Sequence, residues 1–312
     1  MRHLRSILWV LPICCMLTLS AGCGGDKGPT KPALRNNRLI VAFYNTPPLG
    51  NPWVYQVWAF KSGWQPGLVF RLSADVPTHL LDTLGQVFPG DTLTFSNLDL
   101  TTCDSLRVTL RTKGSGIDTG LVVLIAPIEK NKTSPQLVSV LKGKVGARDL
   151  YFVYTTPTDA DTSHDNELSG IWFANPPDLT SPGLDSLPSL PSGWIFEGWA
   201  KHGSVLLSMG KFGARSGPDL AKNYYSGTGP AFPGEDFLIN APAGITFPFQ
   251  FSEGDTVMVS LEPEDDFDLT QPFIRWFAHR VPLQSSALWP LQRYSLNPVQ
   301  EDKWPIANAF IR

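Results

Sequence analysis

G-W-I-F-E-G-W-A-K-H-G-S-V-L-L-S-M-G-K-F, residues Gly193 to Phe212, reads as two strands joined by a tight turn at His202-Gly203. Strands send successive side chains to opposite faces, so Trp194, Phe196, Gly198 and Ala200 share one face. Ile195, Glu197, Trp199 and Lys201 share the other. An earlier stretch repeats the first half of this one, P-W-V-Y-Q-V-W-A-F-K-S-G from Pro52 to Gly63.

Working outward, further pairs recur in the same order. R-L-I-V-A-F-Y-N-T-P (Arg38–Pro47) returns as R-D-L-Y-F-V-Y-T-T-P (Arg148–Pro157), 110 residues on. W-V-Y-Q-V-W returns as W-I-F-E-G-W after 141, and F-P-G-D (Phe88–Asp91) as F-P-G-E (Phe232–Glu235) after 144. L-T-F (Leu93–Phe95) returns as I-T-F (Ile245–Phe247) after 152. S-L-R-V-T-L-R (Ser105–Arg111) returns as T-V-M-V-S-L-E (Thr256–Glu262) after 151. Five ordered anchors imply a duplicated β-domain. The jump in spacing from 110 to 141 places an insertion near Asp159–Pro191, loop-like around one apolar island, G-I-W-F (Gly170–Phe173).

Within the first copy, Leu106, Val108 and Leu110 alternate with Arg107, Thr109 and Arg111, as in a sheet with one wet face. L-T-F-S-N-L-D-L shifts phase between Phe95 and Leu98, implying a bulge or bend. G-L-V-V-L-I-A-P-I is apolar on both faces, as in a covered strand. Pro (28), Gly (27) and Trp (10) are abundant in the 312 residues, which suits short strands and many turns. The expectation is an all-β chain of two tandem antiparallel β-sandwich domains of immunoglobulin-like type, 38–128 and 137–282, with the insertion at 159–191. A tail, 283–312, carries Trp289, Tyr294, Trp304 and Phe310 and is expected to pack back on the domains or the seam between them. The net charge is −3 without a long run of one sign, which argues against a nucleic-acid footprint.

At the start, Arg2, His3 and Arg5 precede an apolar core, Ile7 to Leu19, that is too short to span a bilayer. It ends in L-S-A-G-C, with Ala21 and Gly22 before Cys23. This resembles the lipobox of bacterial lipoproteins, although Ser20 stands where that pattern more often has Leu. The resemblance implies a signal peptide over 1–22, cleavage between Gly22 and Cys23, and a diacylglycerol on Cys23. A plain secretory signal is the alternative. Gly24 after the cysteine favours onward transport to an outer membrane, and 23–37 reads as a flexible linker. Cys14 and Cys15 would leave with the signal. Cys103 then remains as a half-buried residue before a strand, with no internal disulfide.

The second copy also resembles the C-terminal, extracytoplasmic domain of anti-sigma-K factors. An aromatic-x-x-W strand there leads through a Gly turn to S-x-G-x-F; here these are F-E-G-W (Phe196–Trp199), Gly203 and S-M-G-K-F (Ser208–Phe212). The later V-x-L-E-P strand is matched by V-M-V-S-L-E-P (Val257–Pro263), followed by an acidic loop and Pro272. Trp53, Trp58, Trp194, Trp199, Phe212, Glu262 and Pro263 are therefore the structural motif residues. The first copy lacks S-x-G-x-F and Glu-Pro. With neither the family's transmembrane helix nor its cytoplasmic part found, direct sigma-factor inhibition is not implied.

No G-x-S-x-G, Walker-type, H-E-x-x-H or G-x-G-x-x-G motif occurs. His79, His164, His202 and His279 lack ligand spacing. D-A-D-T-S-H-D-N-E (Asp159–Glu167) offers oxygens in a loop but lacks the sixth-position Gly and twelfth-position Glu of a calcium loop, and reads as a solvated insertion. E-P-E-D-D-F-D (Glu262–Asp268) reads as a solvated turn. Gln56 and Glu197 share a repeat position that suits a structural hydrogen bond better than acid–base work. Trp53, Trp58, Trp64, Trp194 and Trp199 fit a sandwich core or, alternatively, a sugar-stacking face. No catalytic, cofactor or metal residue is assigned. The expectation is a non-enzymatic lipoprotein of the envelope, held to a membrane by its lipid, that senses or binds a protein partner. A carbohydrate- or calcium-binding module is the alternative, and a hydrolase the third.

Overall fold

The alternating apolar pattern around Trp53 and Trp194 becomes two long central strands, each hydrogen-bonded on both sides. The computed structural model describes residues 36–76, 79–113, 120–143, 148–160, 163–265, 271–282, 291–299 and 303–312. Cys23, Gly22, Trp289 and the signal and linker expectations lie outside the described residues.

The chain is all-β and sandwich-like. Among the described residues seventeen strands form two antiparallel sheets, and the only helical segments are short 3-10 turns. The first sheet contains β1 (Arg38–Tyr44), β2 (Trp53–Phe60), β3 (Trp64–Leu72), β4 (Leu80–Leu81), β5 (Thr92–Thr94), β6 (Ser105–Thr112), β7 (Leu121–Pro127), β8 (Gln136–Ser139) and β17 (Ile306–Ile311). Their spatial order is β4-β3-β2-β6-β7-β8-β17-β1-β5. The second sheet contains β9 (Leu150–Tyr154), β10 (Gly170–Trp172), β11 (Trp194–His202), β12 (Val205–Phe212), β13 (Gly234–Asp236), β14 (Thr256–Pro263), β15 (Ile274–Arg280) and β16 (Arg293–Pro298). Its order is β12-β11-β14-β15-β16-β9-β10-β13.

Each sheet folds over on itself, bringing distant strands together around aromatic rings. Phe43 on β1 packs on Phe70 on β3 with ring centres 5.2 Å apart, and Tyr55 on β2 stacks on the same ring at 5.8 Å. In the second sheet Phe173, just after β10, meets Phe212 on β12 at 6.0 Å. It also lies against Gly198 on β11, where a Cβ would come within 3.0 Å of the Phe173 ring. Gly198 is therefore the small member of a large–small pair, as dense cores require. Most of the buried apolar residues of both sheets join in one continuous core, and Val153, Trp172 and Tyr225 form a smaller second cluster.

The meanders β3-β2-β6-β7 and β12-β11-β14-β15 match pair for pair. Tyr55 faces Phe70 and Leu110; Phe196 faces Phe212 and Leu261. The register of β6 on β7 shifts between Val108 and Thr109, and that of β14 on β15 shifts between Val259 and Ser260, the same place in each copy. The opening strands require one adjustment to the sequence alignment. Spaced by 110, inward Val41 would fall on half-buried Tyr151, and inward Phe43 on outward Val153. The core-facing sets are Leu39, Val41, Phe43 and Leu150, Phe152, Tyr154, a step of 111. A one-residue slip inverts every side chain of a strand, so burial fixes the register where similarity does not. The I-T-F anchor at Ile245–Phe247 forms no strand; β13 instead takes the place beside β10. The phase shift after Phe95 is the end of β5, where the chain bends away with Phe95 still buried.

Residues 136–139, read from sequence as the opening of the second copy, pair with β7 and β17 in the first sheet. The tail supplies a strand to each sheet. β16 pairs with β9 and β15, and β17 lies between β1 and β8. Tyr294 enters the core beside Phe152 (5.5 Å) and Tyr154 (4.8 Å).

Candidate functional site

Three of the motif residues, Trp58, Trp199 and Glu262, lie on the side of the central strands turned away from the main core, and all three are buried. Trp199 is fully enclosed, and its indole N–H donates to Ser260 Oγ at 2.8 Å. Trp58, the same position in the first copy, donates to Thr109 Oγ1 at 2.9 Å. A serine or threonine on the neighbouring strand, two places along from the residue opposite the tryptophan, thus satisfies a buried donor that would otherwise be costly. Trp194 is 6% exposed and meets Phe273 edge-on at 5.8 Å. Trp53 is half-buried and, with Pro47, Leu49 and Phe273, lines a cavity of about 20 Å³ between the two halves. These tryptophans are scaffold and do not form an exposed stacking row. The surroundings of Trp64 lie outside the described residues.

Gln56 and Glu197 do occupy equivalent places, with different partners. Gln56 accepts from Arg111 Nη1 at 2.8 Å and donates to Gly67 O at 3.1 Å. Glu197 accepts from Ser208 Oγ at 2.5 Å, and Ser208 in turn accepts from the Gly210 N–H. Glu262 stands where the first copy has Arg111. It accepts from Ser260 Oγ and from the Phe273 N–H at 2.9 and 3.1 Å. Glu262 and Pro263 are buried, so the solvated turn expected from Glu262 begins only at Glu264; residues 266–270 of that loop lie outside the described residues. The carboxylate thus satisfies the buried N–H of Phe273, the residue just before β15. Glu197 and Glu262, 1% and 0% exposed, sit in packed protein.

A second polar cluster lies where the insertion meets the sheet, and the sequence reading missed most of it. Asp236 on β13 accepts from Trp172 Nε1 (2.5 Å) and from Thr158 N (2.9 Å) and Oγ1 (2.5 Å). Glu235 accepts from the N–H groups of Tyr224 (3.0 Å) and Asn223 (3.2 Å). Asp219 accepts from Gly234 N and Ala221 N, both at 3.0 Å. Glu167 accepts from Thr155 Oγ1 (2.7 Å), Thr156 N (2.8 Å) and His164 Nδ1 (2.6 Å). Each carboxylate binds a loop back onto the sheet through backbone or hydroxyl donors. Asp91 does the same in the first copy, accepting from Leu80 N eleven residues earlier, as Glu235 does from Tyr224. The recurrent F-P-G-D/E was the signal for that role.

Burial sets the protonation of these groups. It pushes Glu235 up to about 8, against the lowering bonds from Tyr224 and Asn223, with Asp219 and Asp236 adding repulsion. Burial likewise pushes Asp219 and Asp236 up to about 6 each. At Glu167 burial acts upward, but the bonds from Thr155, Thr156 and His164 outweigh it and leave the carboxyl below its ordinary value. Two carboxylates of the Asp159–Glu167 loop are engaged by donors: Asp159 accepts from Asn166, and Glu167 as above, while Asp165 is exposed and 161–162 lie outside the described residues. Of the other histidines, His79 faces Asp91 at 3.2 Å, His202 faces Asp255 at 2.8 Å, and His279 faces Ser295 O at 2.9 Å. Among the described residues no three His, Cys, Asp or Glu groups converge as a metal site. Cys103 is more buried than its sequence position suggested, 4% exposed within the core, and burial raises its thiol pKa.

Large apolar residues do reach solvent on one sheet face. On β1 and β17 the outward set is Arg38, Ile40, Ala42, Tyr44, Ile306, Asn308 and Phe310, with Ile40 opposite Phe310, Ala42 opposite Asn308 and Tyr44 opposite Ile306, and Arg312 lies over the Phe310 ring at 5.4 Å. Tyr44 is 43% and Phe310 40% exposed. The corresponding face of the second half is covered: Val153 and Trp172 pack under Tyr225 and Leu179, and Arg293 lies over Tyr151 at 4.0 Å. No family model, curated protein or solved structure matches this chain.

Proposed function

We propose that this chain is a non-enzymatic lipoprotein of the cell envelope that binds a protein partner through the outer face of β1 and β17. The observation that carries the reading is the pair Tyr44 and Phe310, open to solvent and flanked by Ile40, Ala42 and Ile306. Exposed aromatic residues amid aliphatic ones are the composition of interface centres. The second half buries the matching face under its own loop, which supports reading the open face as one kept for a partner. L-S-A-G-C at Leu19–Cys23 supports a lipid on Cys23 and an address on the periplasmic side of the envelope, at the outer membrane. Among the described residues no helix is long and apolar enough to cross a membrane. The likeness to anti-sigma-K extracytoplasmic domains supports a sensing or binding role rather than turnover. The buried tryptophans and donor-engaged carboxylates weigh against the carbohydrate, calcium and hydrolase readings. Membrane fractionation and the intact mass of the N-terminal peptide test the anchor. Diacylglycerol mass on Cys23, with Cys23→Ser left as precursor or released, is expected; soluble wild-type protein with an unmodified Cys23 contradicts it.

A further inference from the structure

The two halves close in different ways. In the second half one strand does the whole task. The end of β16 pairs with β15 (Phe277 with Pro298, Ala278 with Asn297), and its beginning pairs with β9 from Arg293–Val153 to Leu296–Leu150. In the first half β8 makes the matching pairs with β7, Leu124 with Ser139 and Ile125 with Val138. It does not reach β1. The place between β8 and β1 is filled by β17, which arrives from far along the sequence; the bonded side chains of Gln136 and Asn308 are 172 residues apart.

The fit of β17 is mainly a main-chain fit. It pairs with β1 over six positions, Leu39–Ile311 through Tyr44–Ile306, and with β8 over three. Beyond the ladders, Arg38 and Arg312 exchange backbone bonds of 2.8 and 2.9 Å. The N–H groups of Ala309 and Ile311 donate to Pro135 O (3.1 Å) and Thr133 O (2.7 Å). The inward side chains are Ala307, Ala309 and Ile311, all buried and two of them minimal. Such a slot reads backbone first and admits only small residues at alternate positions, as in strand addition between chains.

We propose that the place between β1 and β8 is a strand-binding site that takes Ile306–Ile311 equally from its own chain or from a second copy. Exchange of β17 then links copies of the protein. The second copy is the partner because it carries the complementary segment in the same register. A strand exchanged between identical folds makes no new contact and loses none beyond its hinge.

The test uses the chain ended after Trp304 and a fluorescent peptide of residues 305–312, P-I-A-N-A-F-I-R. Saturable binding with a rise in melting temperature is expected, and a peptide carrying Ala309→Trp should not bind. If the shortened chain instead closes β8 directly on β1, as β16 lies on β9, it melts like the full chain and ignores the peptide, which overturns the proposal. Should the shortened chain not fold, a protease site inserted after Val299 in the full chain is cut after folding. Displacement of the cut strand by excess labelled peptide supports the site, and a strand that never exchanges overturns it. For the second copy, refolding the full chain at rising concentration should give a dimer by light scattering that the shortened chain does not form. A monomer throughout overturns that part.

Discussion

Glu235→Gln is expected to reverse the sign of its effect on stability between acid and alkaline solution. Glu235 is fully buried and its carboxyl is raised from 4.5 to about 8. Below pH 4.5 both folded and unfolded chains hold the proton, and the group contributes no pH dependence. As pH rises from 4.5 towards 8 the unfolded chain releases the proton while the folded chain keeps it, so stability falls by roughly 1.4 kcal/mol per unit. Above 8 the whole penalty, of order 4–5 kcal/mol, is present. Glutamine does not titrate, so it removes this loss. It also replaces one acceptor by an NH₂ group, and either the Tyr224 or the Asn223 N–H loses its partner, costing about 1–3 kcal/mol at every pH. Asp219 and Asp236 titrate near 6 in both proteins and largely cancel from the comparison. Urea unfolding at pH 5 and pH 9, followed by circular dichroism, should therefore show the variant less stable by roughly 1–2 kcal/mol in acid and more stable by roughly 2–3 kcal/mol in alkali. A difference that stays constant with pH would refute the argument that burial holds the proton on Glu235.

Three further outcomes follow from the packing. Trp199→Ala should cost about 3–5 kcal/mol in the same assay, since the ring is fully enclosed and its loss leaves Ser260 Oγ only its bond to Glu262; a cost below about 1 kcal/mol would place the ring at the surface. Gly170→Ala should cost about 3 kcal/mol or more, because a Cβ there would stand 1.9 Å from Thr155 O and 2.6 Å from Asp236 Oδ1; near-native unfolding would show that β9 and β10 can separate. Cys103 should react with a thiol reagent only as fast as the chain opens, its thiol being buried and raised in pKa; rapid labelling of the native protein would contradict this.

Much of the scaffold was legible because period-two alternation and repetition reinforce each other. β2 falls inside the Pro52–Gly63 stretch whose repetition marked it as a strand, and the Trp58 and Trp199 positions proved equivalent down to their hydroxyl partners. The misreadings share a physical origin: non-local pairing. Similarity around Arg38 and Arg148 could not reveal a one-residue slip, because only burial tells inward from outward. Nothing within Ile306–Ile311 announces that its partners are β1 and β8, since a short strand of Ala, Asn and Ile takes its meaning from the slot it fills. Glu262 and Asp236 lie in sequence contexts that look solvated, and become buried only because distant N–H groups need acceptors. The exposed Tyr44–Phe310 face was likewise invisible, being assembled from the first and last strands.

That face is where the proposed function is most directly tested. A photo-crosslinking residue placed at Phe310 in the full-length, membrane-anchored protein should give one discrete adduct with another protein in intact cells. The same residue at Leu220, also exposed but bonded to β12 of the other sheet, should give none. Loss of the adduct on Tyr44→Asp would tie it to the face. Equal crosslinking at both positions, or none at Phe310, would contradict the account.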